Sequence, residues 1–259
     1  QFLTLAQNST AGTPLDIWFP ATPNVKPQLC DQGSLGYFRN FKQNMFEISL
    51  EGYYKYFRQV IDFRDHAQLL LNPYLEGELR IGNGYSYGIE SLIRKNSGRL
   101  TGWISYTYSR SFREIPEIND GNRYNAPYDK PHALNIVMNY DFSKRISASA
   151  TWVYATGLPV TFPTGRAVIG NAIIPIYSNR NAYRMPDYHR LDLSVTLKGK
   201  EKPGKKWHGE WNLSIYNVYN RHNAWSINFT QDLQNPNVTY AEKTYLFAVV
   251  PAITYNFKF

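Results

Sequence analysis

Apolar and polar side chains alternate with a period of two along most of this chain of 259 residues. The alternation is clearest over 245–259, where large apolar residues stand at odd positions. Because successive side chains of a β-strand point to opposite faces, each such segment predicts a strand with one apolar and one polar face. The phase slips near Tyr216, which predicts a bulge there. The predicted strands are 27–41, 44–63, 80–95, 98–114, 130–142, 145–161, 187–199, 206–229 and 242–259.

The connections between these strands alternate between short and long. Short turns fall at Lys42-Gln43, at 96–98 and at Ser143-Lys144, and a longer lysine-rich turn spans 198–206. Short turns on one rim and long loops on the other are typical of outer-membrane β-barrels. A soluble β-sandwich also alternates, but its strands are typically about 5–6 residues long. The predicted long loops, rich in Pro, Asn, Gly or Tyr, are 64–79, 115–129, 162–186 and 230–241.

Composition supports an all-β transmembrane fold. Hydrophobic residues make up 43% of the chain and aromatic residues 16%, which excludes a disordered chain. The longest apolar run, Leu246 to Ile253, is far shorter than the roughly 20 residues of a membrane helix. A mean hydropathy of -0.46 does not exclude a barrel, because barrel strands alternate polar and apolar residues. We therefore predict an antiparallel meander of about nine long strands, with 1–26 as an extracellular loop segment and 27–259 as barrel.

Enzymatic and nucleic-acid functions find little support in the sequence. The five histidines are scattered and Cys30 is the single cysteine, so no catalytic, cofactor or metal site is predicted. Alternation puts His189 on the opposite face from Arg190 and Asp192. The net charge is +8, but the lysine-rich turn 198–206 has no aromatic platform for stacking bases, so a nucleic-acid partner is not predicted.

Four segments carry a resemblance to a known family: DQGSLGYFRNF (31–41), MPDYHRLDLS (185–194), WNLSIYNVYNRHNAWSINF (211–229) and VVPAITYNFKF (249–259). With these segments the chain resembles the C-terminal barrel region of TonB-dependent outer-membrane receptors of Bacteroidota-type bacteria. It is closer to members with a carboxypeptidase-like regulatory domain than to typical SusC glycan importers.

The resemblance implies a function and a set of partners. The expected activity is energised import of a scarce nutrient across the outer membrane of a bacterial cell, through a 22-stranded barrel with an N-terminal plug. The partners implied are the rest of the barrel and its plug, the TonB–ExbB–ExbD complex, a surface lipoprotein and outer-membrane lipid. Plug and TonB box lie outside these residues, and the substrate class stays open among siderophore, cobalamin, glycan and peptide. The alternative is a passive porin or a structural outer-membrane barrel.

Three groups of residues are candidates for function. The family's C-terminal assembly signal corresponds to Tyr255, Phe257 and Phe259. Charged residues that alternation turns inward are candidate lumen or plug contacts, whereas aromatic residues outside the strands are candidate extracellular ligand contacts. The inward charges are Glu47, Glu51, Glu90, Arg94, Arg190, Asp192 and Glu210. The aromatic residues are Trp18, Tyr74, Tyr124 and Tyr177.

The predicted first and last strands, 27–41 and 242–259, run in the same direction in a nine-strand meander. Side by side they would be parallel, so the sheet cannot close on itself as an antiparallel barrel. We therefore expect each of them to need a neighbouring strand from outside these residues.

Overall fold

The computed structural model describes residues 2–6, 16–67, 69, 72–170, 172–200, 208–232, 234–235 and 238–258. Within these residues the fold is almost entirely β-structure, with short 3-10 turns at Leu75–Glu78 and Asn119–Gly121. The strands are β1 (Phe2–Ala6), β2 (Asp16–Pro20), β3 (Leu29–Phe41), β4 (Phe46–Phe63), β5 (Leu79–Lys95), β6 (Leu100–Glu114), β7 (Tyr124–Asn125), β8 (His132–Asp141), β9 (Ile146–Ala155), β10 (Pro159–Val160), β11 (Pro163–Ile169), β12 (Ala172–Tyr177), β13 (Tyr183–Arg184), β14 (Tyr188–Lys198), β15 (His208–Tyr216), β16 (Ser226–Gln231), β17 (Thr239–Thr244) and β18 (Val250–Lys258).

The main sheet is an antiparallel meander in the order β3-β4-β5-β6-β8-β9-β14-β15-β18, with β7 paired beside β6. Each of these nine strands lies within one of the nine predicted segments or within one residue of it, so the predicted fold class is confirmed. β3 and β18 lie at opposite ends of the sheet order and do not pair with each other. No helix of the described residues combines the length and the apolar character that a membrane crossing needs.

Two predicted strand boundaries are wrong. The segment 206–229 is not one strand with a bulge: β15 ends at Tyr216, and 226–231 forms a separate hairpin with β17. The chain leaves the sheet at Asn217, whose backbone is left-handed (φ 56°) and whose side chain makes hydrogen bonds of 2.9 and 3.0 Å with the backbone of Arg221. The last strand begins at Val250 rather than at 242, because 239–244 belongs to the same hairpin.

The strands define a short-turn end and a long-loop end of the sheet. The register pairs Tyr188 with Ala155 and Leu197 with Ile146, so the loop 162–186 and the turn after Lys198 leave from opposite ends, as predicted. Residues 201–207 of that turn lie outside the described residues. The long loop 162–186 carries a hairpin of its own, β11–β12, which the sequence analysis did not predict.

The turns of the short-turn end use left-handed backbone conformations. Gly98 in the β5–β6 turn has a φ of 96°, which side chains rarely tolerate. Lys42, Gln43 and Asn44 between β3 and β4 have φ of 47°, 53° and 65°, and the Met45 amide donates to the Lys42 carbonyl at 3.1 Å. Tight turns of this kind join antiparallel neighbours directly.

One β-bulge interrupts the alternation inside β4. The register shifts between Arg58 and Val60, and the extra residue, Gln59, has a left-handed φ of 59°. Before the bulge the odd-numbered residues of β4 lie on the polar face of the sheet, whereas after it the even-numbered residues do. The bulge therefore brings Asp62 onto that face.

Buried side chains concentrate at the long-loop end. One cluster packs Val25 against Ile61, Phe63 and Leu79, with Ala67, Leu69 and Leu75 beside it. A second cluster consists of Val60, Ile115, Ile118 and Tyr124, with Phe57 beside it. The rest of the main sheet leaves its apolar side chains exposed, as the 70% exposure of Ile253 illustrates. The long loops thus cover the end of β4, β5 and β6, while the middle of the sheet is left bare by the described residues.

Candidate functional site

The polar face of the sheet is continuous across the strands. Starting at Glu47, successive register partners are Arg94 on β5 and Trp103 on β6. The same row continues through β8 and β9 to Asp192 on β14. The face assigned to each strand from its own alternation therefore agrees with that of its neighbours. All seven charges expected to point inward lie on this face; their role as lumen or plug contacts stays a prediction.

Two ion pairs on the polar face join predicted residues. Arg94 donates to Glu47 at 3.4 Å. Arg190 donates to Asp192 at 2.9 Å and lies 4.1 Å from the ring centre of Tyr216, whose hydroxyl accepts a second hydrogen bond at 2.8 Å. The other carboxylate oxygen of Asp192 accepts the Asn217 amide at 2.9 Å. Arg190 and Asp192 are thereby fixed in place by the strand end of β15.

The remaining predicted carboxylates are differently placed. Glu51 and Glu90 are direct cross-strand partners, and no ion pair of the described residues includes either of them. Like charges directly opposite each other destabilise a sheet. Glu210 lies at the short-turn end opposite Lys198 and accepts a hydrogen bond from Asn256 at 3.3 Å. The pair of Glu51 and Glu90 is therefore the part of this face that most needs a cation from elsewhere.

The predicted aromatic contacts fall in different environments. Tyr74 is 81% exposed on its loop, and Tyr177 ends β12. Trp18 lies in β2, but its side chain is outside the described part of the structure. Tyr124 is only 4% exposed, and its hydroxyl donates to Asp62 at 2.9 Å. Tyr124 is thus part of the buried cluster with Val60, Ile115 and Ile118 and is not available to a ligand. For the other three residues a role in ligand contact stays a prediction.

A cleft of about 670 Å³ lies between the two hairpins β11–β12 and β16–β17. Tyr177 and Phe229 contribute aromatic walls, and Arg166 and Gln231 contribute polar groups. The ring of Phe229 meets that of Phe162 edge to face at 5.2 Å, which joins the two hairpins. Of the residues that line this cleft, Tyr177 alone is predicted from the sequence, because the approach of the two hairpins leaves no periodic signal.

A buried carboxylate, Asp129, ties together loops that the sequence analysis treated separately. Its side chain is fully buried and makes ion pairs with Arg110 and Arg184. It also accepts the Ser111 amide at 2.6 Å, while Arg184 donates to the Gly157 carbonyl at 3.1 Å. The loop 115–129 is thereby fastened both to β6 and to the loop 162–186.

A second buried carboxylate, Asp62, lies beside the cluster of Val60, Ile115, Ile118 and Tyr124. Arg113 and Tyr124 both donate to the same carboxylate oxygen, each at 2.9 Å. Burial, followed by the nearby charge of Asp62, raises the pKa of the Tyr124 hydroxyl well above its usual range. Tyr124 is therefore a neutral hydrogen-bond donor at all physiological pH values.

Aromatic residues on the apolar face form two belts. At the long-loop end the Trp152 ring nitrogen donates to the Tyr219 hydroxyl at 3.2 Å. At the short-turn end Tyr255 lies between Trp211 and Phe257, with ring centres 4.7 and 6.2 Å apart. Between the belts this face carries large exposed aliphatic residues. They include Leu50, Ile89, Ile93, Ile104, Met138, Leu193, Val195, Leu213, Ile215 and Ile253.

Tyr255 and Phe257 thus belong to the belt of the short-turn end, while Phe259 lies outside the described residues. Their role as an assembly signal stays a prediction. Within the described residues no group of three or more His, Cys, Asp or Glu side chains is placed to hold a metal ion.

Comparison with known proteins gives one family and a structural likeness. The profile of the family described as "TonB dependent receptor-like, beta-barrel" matches residues 2–220. The FrpB iron transporter from Neisseria meningitidis (F3-3 variant) has a similar structure, with a TM-score of 0.53 at 12% identity. The likeness covers 92% of this chain and 32% of that chain, so this chain spans about a third of the transporter's length. Comparison with curated protein sequences gives no match.

Proposed function

Because the chain belongs to the family of TonB-dependent receptor-like β-barrels, we propose that it is part of an outer-membrane transporter that imports a scarce nutrient by energised active transport. The observation that carries this proposal is the division of the sheet into two faces across nine strands, and the family match supports it. One face bears charges and hydroxyls, and the other bears exposed aliphatic residues between two aromatic belts.

The apolar face is suited to contact lipid. A contiguous face of exposed aliphatic residues is an aggregation hazard in water. In a bilayer the same face is satisfied by hydrocarbon, and aromatic belts are typical of the two membrane interfaces. We assign the short-turn end to the periplasm and the long-loop end to the cell surface, as in other outer-membrane barrels.

The sheet edges point to further strands of the same barrel. An open edge in the hydrocarbon core is costly, because each unpaired N–H and C=O group there costs several kcal/mol. Among the described residues nothing pairs with the outer edges of β3 and β18. We infer that other strands of the barrel cover both edges and that a plug fills the space beside the polar face. The family's 22-stranded architecture would accommodate them.

We further propose that this is a Bacteroidota-type receptor with a carboxypeptidase-like regulatory domain, energised by TonB–ExbB–ExbD and assisted by a surface lipoprotein. The segments MPDYHRLDLS and VVPAITYNFKF support this assignment. Sequencing the gene upstream of Gln1 provides a direct check: we expect a TonB box, a regulatory domain and a plug. A gene without a plug would contradict the assignment.

Energised uptake is tested in the native cell. We expect deletion of the gene to abolish growth on one limiting nutrient among an iron chelate, cobalamin, a glycan and a peptide. Uptake of that nutrient should fall to the level of the deletion strain when the proton gradient is collapsed. Uptake that survives the collapse, or steady conductance of the purified full-length protein in planar bilayers, would indicate a passive porin instead.

The carboxylate pair Glu51 and Glu90 provides a test of the plug. In the full-length protein, replacing both by Gln should lower the stability of plug docking by about 1–3 kcal/mol, because a cation of the plug loses its partners. The measurement is the plug transition in denaturant titrations, with the exposed Glu242→Gln as the control. An unchanged or more stable plug would mean that the carboxylates only repel each other.

A further inference from the structure

A second cleft, of about 370 Å³, lies beside the start of β14. It is formed by the segment that enters β14, by the loop that follows β15, and by Lys243 on β17. Its ionisable side chains are Asp187, His189, Arg221, His222 and Lys243. None of these belongs to the polar-face residues that the proposed transport function uses.

The cleft opens on the lipid-facing side of the sheet. His189 lies on the apolar face, since its neighbours Arg190 and Asp192 belong to the polar face. Its ring nitrogen is 2.8 Å from the Tyr219 hydroxyl, the same hydroxyl that Trp152 of the aromatic belt contacts. The cleft is therefore part of the belt at the long-loop end. Belts of this kind lie at the level of the lipid headgroups.

The positive charges of the cleft make no direct ion pair, although the charge of Asp187 attracts that of Arg221 across the cleft. No ion pair within the described residues includes Arg221 or Lys243. Arg221 donates to a backbone carbonyl, that of Asp187, at 3.0 Å. Its Nε is buried and has no hydrogen-bond partner. A buried guanidinium N–H without an acceptor is unfavourable, so Arg221 keeps hydrogen-bonding capacity that an anionic oxygen in the cleft would satisfy once the side chain turns its Nε toward the opening.

The carboxylate of the cleft uses both of its oxygens for hydrogen bonds to Tyr154 and Gly157 rather than to Arg221. One oxygen of Asp187 accepts the Tyr154 hydroxyl at 2.7 Å, and the other accepts the Gly157 amide at 3.0 Å. These hydrogen bonds hold the pKa of the Asp187 carboxyl below its usual value, so it stays ionised and bound to its two donors. The stacked rings of His222 and Tyr245, 3.9 Å apart, form the adjoining wall.

We propose that this cleft binds the phosphate group of an outer-leaflet lipid headgroup, held by Arg221 and Lys243. A guanidinium suits a phosphate because its planar N–H groups match two oxygens, and an ammonium adds a mobile charge. The position in the aromatic belt selects a lipid over a dissolved anion. The inference rests on the barrel spanning the outer membrane with its long loops outside, and not on any transported nutrient.

The test uses the full-length protein, purified in detergent and reconstituted in nanodiscs. Nanodiscs of phosphatidylcholine are doped with lipid A, and the lipid A that stays bound after transfer to detergent is counted by native mass spectrometry. For Arg221→Gln and for Lys243→Gln we expect retention about tenfold weaker, since one charge-assisted hydrogen bond contributes roughly that factor. Lys130→Gln, an exposed lysine outside the cleft, is the control and should retain lipid normally.

The outcomes separate this inference from others. Lys243 is exposed on its hairpin, so its variant stays informative even if Arg221→Gln disturbs the loop. Equal retention by Lys243→Gln, Arg221→Gln and the wild type would overturn the proposal. So would displacement of lipid A by inorganic phosphate alone at millimolar concentration, which would indicate a site for a free anion. The assay needs no proton gradient, so failure of energised import leaves its result unaffected.

Discussion

Replacing Asp62 with Ala will lower the free energy of unfolding of the full-length barrel by about 3–5 kcal/mol, the usual effect of removing one partner of a buried ion pair. The side chains of Asp62 and Arg113 are only 6% and 10% exposed. Without the carboxylate, the buried hydroxyl of Tyr124 loses its acceptor and the guanidinium of Arg113 is left with the Ile61 carbonyl at 3.4 Å. Urea unfolding followed by tryptophan fluorescence measures the loss.

The exposed ion pair of Glu117 and Arg80 is the control. Its N–O distance is 2.6 Å, but the two side chains are 66% and 25% exposed. Glu117 lies in a loop, and Arg80 also donates to the carbonyls of Gly77 and Leu79. Glu117→Ala should therefore change stability by less than about 1 kcal/mol. The double substitution Asp62→Leu with Arg113→Met should recover much of the loss, because no charge then stays buried alone. Equal effects of Asp62→Ala and Glu117→Ala would contradict the burial argument.

Arginine on the apolar face is the second severe change. Ile253→Arg and Leu193→Arg should each cost about 2–4 kcal/mol if these positions lie near the bilayer midplane, because a guanidinium there is exposed to hydrocarbon. Both residues lie near the middle of their strands, β18 and β14, and Ile253 is 70% exposed to whatever surrounds the barrel. Stability is measured by urea titration of the full-length protein folded into lipid vesicles.

Thr254→Arg is the matched control for this test, one residue along the same strand. Thr254 pairs with Asn212 on the polar face, so its substitution should cost little. A costly Thr254→Arg together with a neutral Ile253→Arg would mean that the two faces are assigned backwards. A neutral result for both would place this part of the sheet outside the membrane.

Strand positions and faces were predictable because they depend on a local pattern. A strand whose two faces meet different surroundings must alternate, and this signal survives without any knowledge of its neighbours. The row from Glu47 to Asp192 confirms it strand by strand. Even Trp103, which breaks the aromatic pattern of the apolar face, lies on the polar face that its position in the alternation predicts.

The contacts among the loops could not be predicted in the same way. Asp129 and Arg184 are 55 residues apart in sequence, and Arg180 and Asp65 are 115 apart. No period relates such residues, and a polar residue in a loop is usually solvated. The same limit explains Tyr124, an aromatic loop residue that resembles a ligand contact in sequence but serves as a buried donor to Asp62.

The bulge at Gln59 changes which residues of β4 lie on each face of the sheet, much as one inserted base shifts a reading frame. On one side of the bulge the odd-numbered residues lie on the polar face of the sheet, and on the other side the even-numbered residues do. A variant lacking Gln59 would keep every later residue on its present face, because Arg58 and Val60 already occupy adjacent positions of the register. If Gln59 were instead drawn into the ladder as an ordinary strand residue, Asp62 would move to the apolar face and Ile61 to the polar face. The bulge thus lets β4 hold one extra residue without turning Asp62 away from Arg113 and Tyr124.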